Sequence, residues 1–169
     1  MQFREVDRIW FSDRALAARR DHHDSLLQAY RATRYEVEAP SGFVLEVGRP
    51  SAELLELHIL NGVDSSAFVT AWNPLSLPAS DTANASAHAS LIHEAARRGW
   101  STRDAWGRGP SSAWPAERSL LILGVSPTEA VALGERFQQA AILSAAADAT
   151  PRLYVLDLPV IRGMPDTPS

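Results

Sequence analysis

Ala67-Phe68-Val69-Thr70-Ala71-Trp72-Asn73-Pro74 is a short apolar run that breaks into a polar turn and then, from Ser80, into a helical pattern. A run that is apolar throughout except for Thr70 is what a strand covered on both faces requires, and it predicts a buried strand over residues 66–72. A strand ending in a turn beside a helix start is the arrangement in which α/β proteins commonly place a ligand, because the free N–H groups of the helix favour anions.

Further strands and helices flank this one. Apolar residues at Leu26, Leu27 and Tyr30 predict a helix from Asp24 to about Thr33, with Asp21 or Asp24 as its cap. Residues 34–38 and 43–47 alternate around Pro40-Ser41-Gly42 and read as a hairpin. Ser51 caps a helix carrying Leu54, Leu57 and Leu60, and Gly62 suits its left-handed end. A helix from Ser80 ends at Arg97-Arg98-Gly99, and Ser126-Pro127-Thr128-Glu129 is a capping box with proline in the first helical position. Residues 119–125, 141–145 and 153–158 read as strands, and residues 100–117, rich in tryptophan, glycine and proline, as a long irregular loop.

The expected architecture is α/β or α+β: one domain, with a mixed, mostly buried sheet flanked by about four helices in as many as three layers. Residues 24–158 would form it, residues 1–23 an extension and residues 159–169 a tail. At 169 residues and 18.4 kDa the chain can bury a proper core, and 46% hydrophobic with 21% charged residues is ordinary for a globular domain.

Composition excludes several function classes. The formal net charge of −4 gives no basic footprint for nucleic acid, so none is expected as a partner. The 16 basic residues are all arginine, which rules out a Schiff-base or P-loop lysine, and the lack of cysteine rules out disulfides, thiol catalysis and thiolate metal sites. The opening residues lack a basic start and apolar run, and no window approaches ~18 apolar residues, so a soluble cytoplasmic protein is expected with no membrane association.

Helical spacing puts Asn84, His88, Leu91 and Ala95 on one face. With Leu91 and Ala95 toward the sheet, Asn84 and His88 would point at the strand end, where Asn73 stands. A cleft bounded by Thr70, Asn73, Asn84 and His88 follows, with the loop carrying Trp106, Arg108, Trp114 and Glu117 closing it. The ligand-binding candidates are thus Thr70, Trp72, Asn73, Asn84, Arg108 and Trp114. Proton handling would fall to His88 or Glu117. The bland alternative is that Asn73 caps the turn, Asn84 bonds the helix start and His88 only packs.

No metal site is expected. His22 and His23 would project about 100° apart on a helix, and His93-Glu94-Ala95-Ala96-Arg97 has arginine where a zinc-protease motif needs its second histidine. Gly107-Arg108-Gly109-Pro110-Ser111-Ser112 could cradle a phosphate but lacks the ending of a P-loop, and no cofactor is named by any motif.

Leu27-x-x-Tyr30 with Thr33-x-Tyr35, then Thr70-Ala71-Trp72-Asn73-Pro74, Asn84, Trp114-Pro115-x-Glu117, and Phe137-Gln138-Gln139-Ala140-Ala141-Ile142 together resemble the bacterial family called domain of unknown function 3293. The resemblance spans about residues 24–158 and implies a single small bacterial domain without implying a reaction. Two function classes therefore stand: a site for a small, nucleotide-like or otherwise anionic molecule beside Thr70–Pro74, or an interaction or regulatory module. The second would draw on the five tryptophans and on Ile9-Trp10-Phe11, with a protein partner or a second copy of the chain.

Overall fold

The computed structural model describes residues 1–19, 23–38 and 40–159. Nine strands form one sheet in the order β1-β2-β9-β8-β5-β7-β6-β3-β4. They are β1 (Phe3–Val6), β2 (Ile9–Ser12), β3 (Arg34–Val37), β4 (Phe43–Leu45), β5 (Ser66–Thr70), β6 (Ser101–Arg108), β7 (Glu117–Leu123), β8 (Ala141–Ala145) and β9 (Arg152–Val155). Among the described residues there are five helices: α1 (Asp13–Ala18), α2 (Asp24–Ala32), α3 (Ala52–Asn61), α4 (Asp81–Arg97) and α5 (Pro127–Arg136).

β5 sits near the middle, antiparallel to β7 on one side and β8 on the other, and its residues alternate between two cores. Phe68 joins Leu121, Leu143 and Leu153 beneath Leu27 of α2 and Leu54 and Leu57 of α3. Ala67 and Val69 join Leu120, Ile122 and Ile142 beneath Leu91 of α4 and Ala130 and Leu133 of α5. The result is three layers, a mixed sheet between two helical ones. Burying each such Leu or Phe contributes ~1.5–3 kcal/mol, which is why the unbroken apolar run belongs here and nowhere near an edge. The sheet is antiparallel except where β2 runs parallel to β9, pairing Trp10 with Tyr154 and Phe11 with Val155.

Local signals set the helix ends as expected. Ser51, Ser80 and Ser126 accept N-cap hydrogen bonds from Leu54, Ala83 and Glu129, and Glu129 completes the capping box. Gly62 ends α3 at φ 63°, in the left-handed region that glycine enters without steric cost. The carboxylate of Glu94 is buried at the foot of α4, where Arg97, Arg98 and, from α5, Arg136 converge on it at 2.8, 3.1 and 3.2 Å. Their hydrogen bonds and charge, outweighing burial, hold its pKa down to about 2, and the cluster ties α4 to α5.

Three expectations need correction. Residues 101–108 are not part of a loop: β6 pairs with β7 from Ser101↔Leu123 to Gly107↔Glu117 and with β3 on its other side. Its outward positions Thr102, Asp104, Trp106 and Arg108 are polar or partly exposed, and only Ala105 is fully buried, so no apolar alternation marks it. The irregular segment shrinks to residues 109–116. The amino-terminal residues set apart as an extension carry β1 and β2, with Phe11 1% exposed in the core. At the start of α2 it is His23, with no side-chain cap bond, that occupies the N-cap position, and Asp24 is the first helical residue. Asp21, His22 and residues 160–169, including the expected loose tail, lie outside the described residues.

Candidate functional site

A cavity of about 240 Å³ opens between α2 and the sheet, on the Phe68 side, roofed by residues 109–114. Its floor is apolar: Phe68, Leu143 and Leu153 from the sheet, with Leu26 and Ala29 of α2 above. Polar side chains gather at one end, namely Tyr30, Thr70, Asn73, Ser76, Glu117 and Gln139. Among the described residues that line it there is no arginine and no histidine.

The polar end is built on the turn that follows β5. Asn73, Leu75 and Ser76 all have positive φ, at 46°, 55° and 58°, a conformation unfavourable for residues with a Cβ. The surroundings hold it there. Asn73 N–H donates to Asn84 Oδ1 at 2.8 Å, and Asn84 Nδ2 donates back to Asn73 Oδ1 at 3.0 Å. Ala79 N–H donates to the same Asn73 Oδ1, the Leu75 N–H to the Gln138 carbonyl, and Gln139 Nε2 to the Trp72 carbonyl.

Asn73 passes this order to Glu117 at the start of β7. Its Nδ2 donates to Glu117 Oε1 at 2.8 Å, and the indole Nε1 of Trp114 donates to the same oxygen at 2.8 Å. One carboxylate oxygen thus takes both bonds and orients the group. Burial pushes the Glu117 pKa up, and the two donors only partly offset it.

Facing it from α2, the Tyr30 hydroxyl shares a 2.6 Å hydrogen bond with Ser76 Oγ, and burial, aided by the Glu117 charge, raises its pKa to about 12. Tyr35 Oη donates to the Tyr30 carbonyl at 2.6 Å and packs edge-on against Phe68. Both phenols therefore stay protonated near neutrality.

The structure brings together Thr70, Asn73, Trp114 and Glu117 around the cavity, and seats Asn84 directly behind Asn73. It does not bring in the rest. His88 is buried on the opposite side of the sheet, its ring 6.3 Å from that of Trp72 in an edge-on contact. Burial, reinforced by Arg118, lowers its pKa, and neither ring nitrogen has a hydrogen-bond partner among the described residues. Arg108 points to that far side too, bonded to Glu36 at 2.7 Å and lying over Trp106, whose indole donates to Glu38. The Gly107–Ser112 stretch is split between β6 and the roof, so it forms no phosphate cradle around Arg108.

Sequence reading placed Tyr30 on the apolar face of a helix, named Tyr35 and Gln139 only within the family resemblance, and passed over Ser76. Tyrosine at the polar edge of an amphipathic helix, and a residue pattern unusual for a turn, were the signals available. A second hollow is bordered by Asp7, Arg8, Arg19, Asp24 and Arg31, and both its carboxylates pair with Arg19, which lies 3.9 Å from Asp7 and 3.3 Å from Asp24. No group of three or more His, Asp or Glu able to hold a metal occurs among the described residues, and no helix there is long and apolar enough to cross a membrane.

A family described as "Protein of unknown function (DUF3293)" matches residues 69–142, from the last residues of β5 into β8. This segment is similar to that family, in agreement with the resemblance carried by its sequence. The matched segment contains Asn73, Asn84, Trp114, Glu117 and Gln139, but not Tyr30. No curated protein and no solved structure matches the chain.

Proposed function

We propose that the cavity beside Thr70–Pro74 binds a small, largely apolar molecule with one hydrogen-bonding end. The observation that carries this reading is the division of its lining: an apolar floor, and polar groups converging at one end around Glu117. Concave apolar sites with a few placed polar groups are the usual form of small-molecule sites. At about 240 Å³ this one lies just under the ~300–1,000 Å³ common for drug-sized ligands, which favours a compact metabolite. Of the nucleotide-like or anionic ligands considered from sequence, a phosphate would meet Glu117 and no cation, so a neutral group, or one with donors to offer, suits the lining better. The strained Asn73–Ser76 turn adds support, since such backbone collects where a site needs exact positions.

The reading as an interaction module draws less from the structure. All five tryptophans are partly buried. Trp10 stacks on Tyr154, Trp100 lies under Arg98, and Trp72, Trp106 and Trp114 have the partners described above, so the tryptophan excess supplies no exposed patch.

The test is a screen of compact neutral, cationic and anionic compounds against the 15N-labelled protein, read at the indole N–H signals. A ligand of the cavity will move the Trp114 signal and leave those of Trp10 and Trp100 in place. If no compound moves Trp114, or if hits move the other indoles instead, the cavity is not the site.

A further inference from the structure

Glu117 and the Tyr30–Ser76 pair hold between them one acceptor and one donor that the fold does not use. In the carboxylate, Oε1 accepts from both Asn73 and Trp114, and Oε2 makes no hydrogen bond to the described residues. Between Tyr30 Oη and Ser76 Oγ, two hydroxyl hydrogens serve one mutual bond of 2.6 Å, so one O–H is left to donate. All three side chains line the same cavity, and the charge of Glu117 is felt at the Tyr30 hydroxyl. The carboxylate is oriented from behind by a side chain locked to Asn84, and Ser76 of the hydroxyl pair stands on the strained turn. An oriented carboxylate in an apolar pocket, opposite a spare O–H, is the equipment of acid–base chemistry.

We infer, resting on the binding reading above, that the cavity is a proton-transfer site for a small carbonyl compound. Glu117 Oε2 takes a proton from the carbon next to the carbonyl, whose oxygen accepts the spare hydroxyl hydrogen of the Tyr30–Ser76 pair. In the forward step the C–H bond breaks, an O–H bond forms on Glu117, and the C–H electron pair moves into the carbonyl as an enolate. The hydroxyl holds the developing oxyanion. When the proton on Glu117 exchanges with solvent before the enolate is reprotonated at the same carbon, the result is isotope exchange, and delivery of the proton to the far carbon of a conjugated enolate gives an isomer. Nothing is oxidised or reduced and no co-reactant is consumed. Burial suits Glu117 to this role, because a carboxyl raised from its ordinary value is a stronger base when ionised. Tyr30, held protonated by the same burial, keeps its hydrogen for the oxyanion.

The experiment uses the full chain in D2O with 3-cyclohexenone and cyclopentanone as carbonyl probes. Cyclohexene and cyclopentane serve as carbonyl-free controls of the same size. Binding is read at the Trp114 indole signal, and chemistry as deuterium entry beside the carbonyl and as absorbance of the conjugated enone. Exchange and isomerisation should run above buffer and fall ~100–10,000-fold in Glu117→Gln, which still offers an oxygen to Asn73 and Trp114, with kcat affected far more than KM. The Tyr30→Phe/Ser76→Ala double variant should lower the same rate while leaving Glu117 in place.

Probes that move the Trp114 signal yet exchange no faster than with Glu117→Gln would overturn the proton-transfer role and leave the binding reading standing. Controls that enter while the carbonyl probes do not would overturn the ligand class. If neither set enters, and the wider screen finds no ligand either, both readings fall together.

Discussion

Asn73 and Asn84 hold one another by two hydrogen bonds, the backbone N–H of the first to the side-chain oxygen of the second at 2.8 Å, and the side-chain nitrogen of the second to the side-chain oxygen of the first at 3.0 Å. The helix N-terminal to His88 thereby reaches across to set a turn, and the turn sets a carboxylate. Asn84 is 2% exposed, so nothing from solvent can replace it. Asn84→Ala strands the Asn73 N–H, an unsatisfied buried donor costing ~1–3 kcal/mol. Asn84→Asp keeps the acceptor for that N–H but loses the donor to Asn73 Oδ1 and to the Ala79 carbonyl. Urea denaturation should show both variants weakened, and the Trp114 indole signal should shift in both as Asn73 loosens its grip on Glu117.

Asn73 itself separates backbone strain from side-chain bonding. At φ 46° a residue with a Cβ pays ~1–2 kcal/mol that glycine does not. Asn73→Gly and Asn73→Ala both lose the bonds to Glu117, Asn84 and Ala79. Alanine should therefore be the less stable of the two by roughly that ~1–2 kcal/mol. Equal stabilities in urea would show that the turn relaxes once the side chain is gone.

Glu117 makes a prediction about pH. Its folded-state pKa lies above the unfolded value of ~4.3, so the fold favours the protonated form. The stabilisation this supplies is complete below ~pH 4.3 and is lost as pH rises through the folded value, leaving the ionised form as a burden at neutrality. Glu117→Gln removes that burden. The variant should melt above the wild type at pH 8, with the gap closing toward pH 4, and a melting temperature that falls at pH 8 would contradict the balance of burial over hydrogen bonding described here. Greater stability bought with lost activity is the usual pattern at a working site.

Gly134 tests the packing of α5 on the sheet. In a helix, alanine is normally better than glycine by ~1 kcal/mol. Here a Cβ would stand 2.5 Å from Leu156 Cδ1 and 2.8 Å from Ile142 Cγ2, both in the core. Overpacking of this kind costs ~1–3 kcal/mol, so Gly134→Ala should be neutral to destabilising by up to ~2 kcal/mol instead of stabilising. A gain in melting temperature would mean that the helix can lift from β8 at no cost.

How much of this was legible from the residues alone depended on how far each signal was local. β5 was legible because a strand buried on both faces has no polar alternation to confuse it, and the serine caps of α3, α4 and α5 were legible because capping is decided within four residues. The shared face of Asn84, His88, Leu91 and Ala95 was legible too, and all four are buried. That face ran past the strand end, however: Asn84 meets Asn73, while His88, one turn further on, meets Trp72 on the far side of the sheet from the cavity. β6 was hidden because its partners on both sides bury it by pairing rather than by apolar pattern. Tyr30 was hidden because its role depends on a loop 46 residues away, a contact that no periodicity records.

The single parallel pair in the sheet has a consequence for the order of assembly. Apart from its hairpin partner β1, β2 pairs only with β9, the strand at residues 152–155, so the hairpin of residues 3–12 has no edge to join until nearly all of the described chain has been made. Until then Ile9 and Phe11, both buried in the finished core, remain uncovered. Removing the hairpin would in turn leave β9 as an open edge with unpaired backbone groups, ready to take up a strand from another molecule. The two ends of the described chain thus protect each other, and shortening either one turns a folding partner into a site of aggregation.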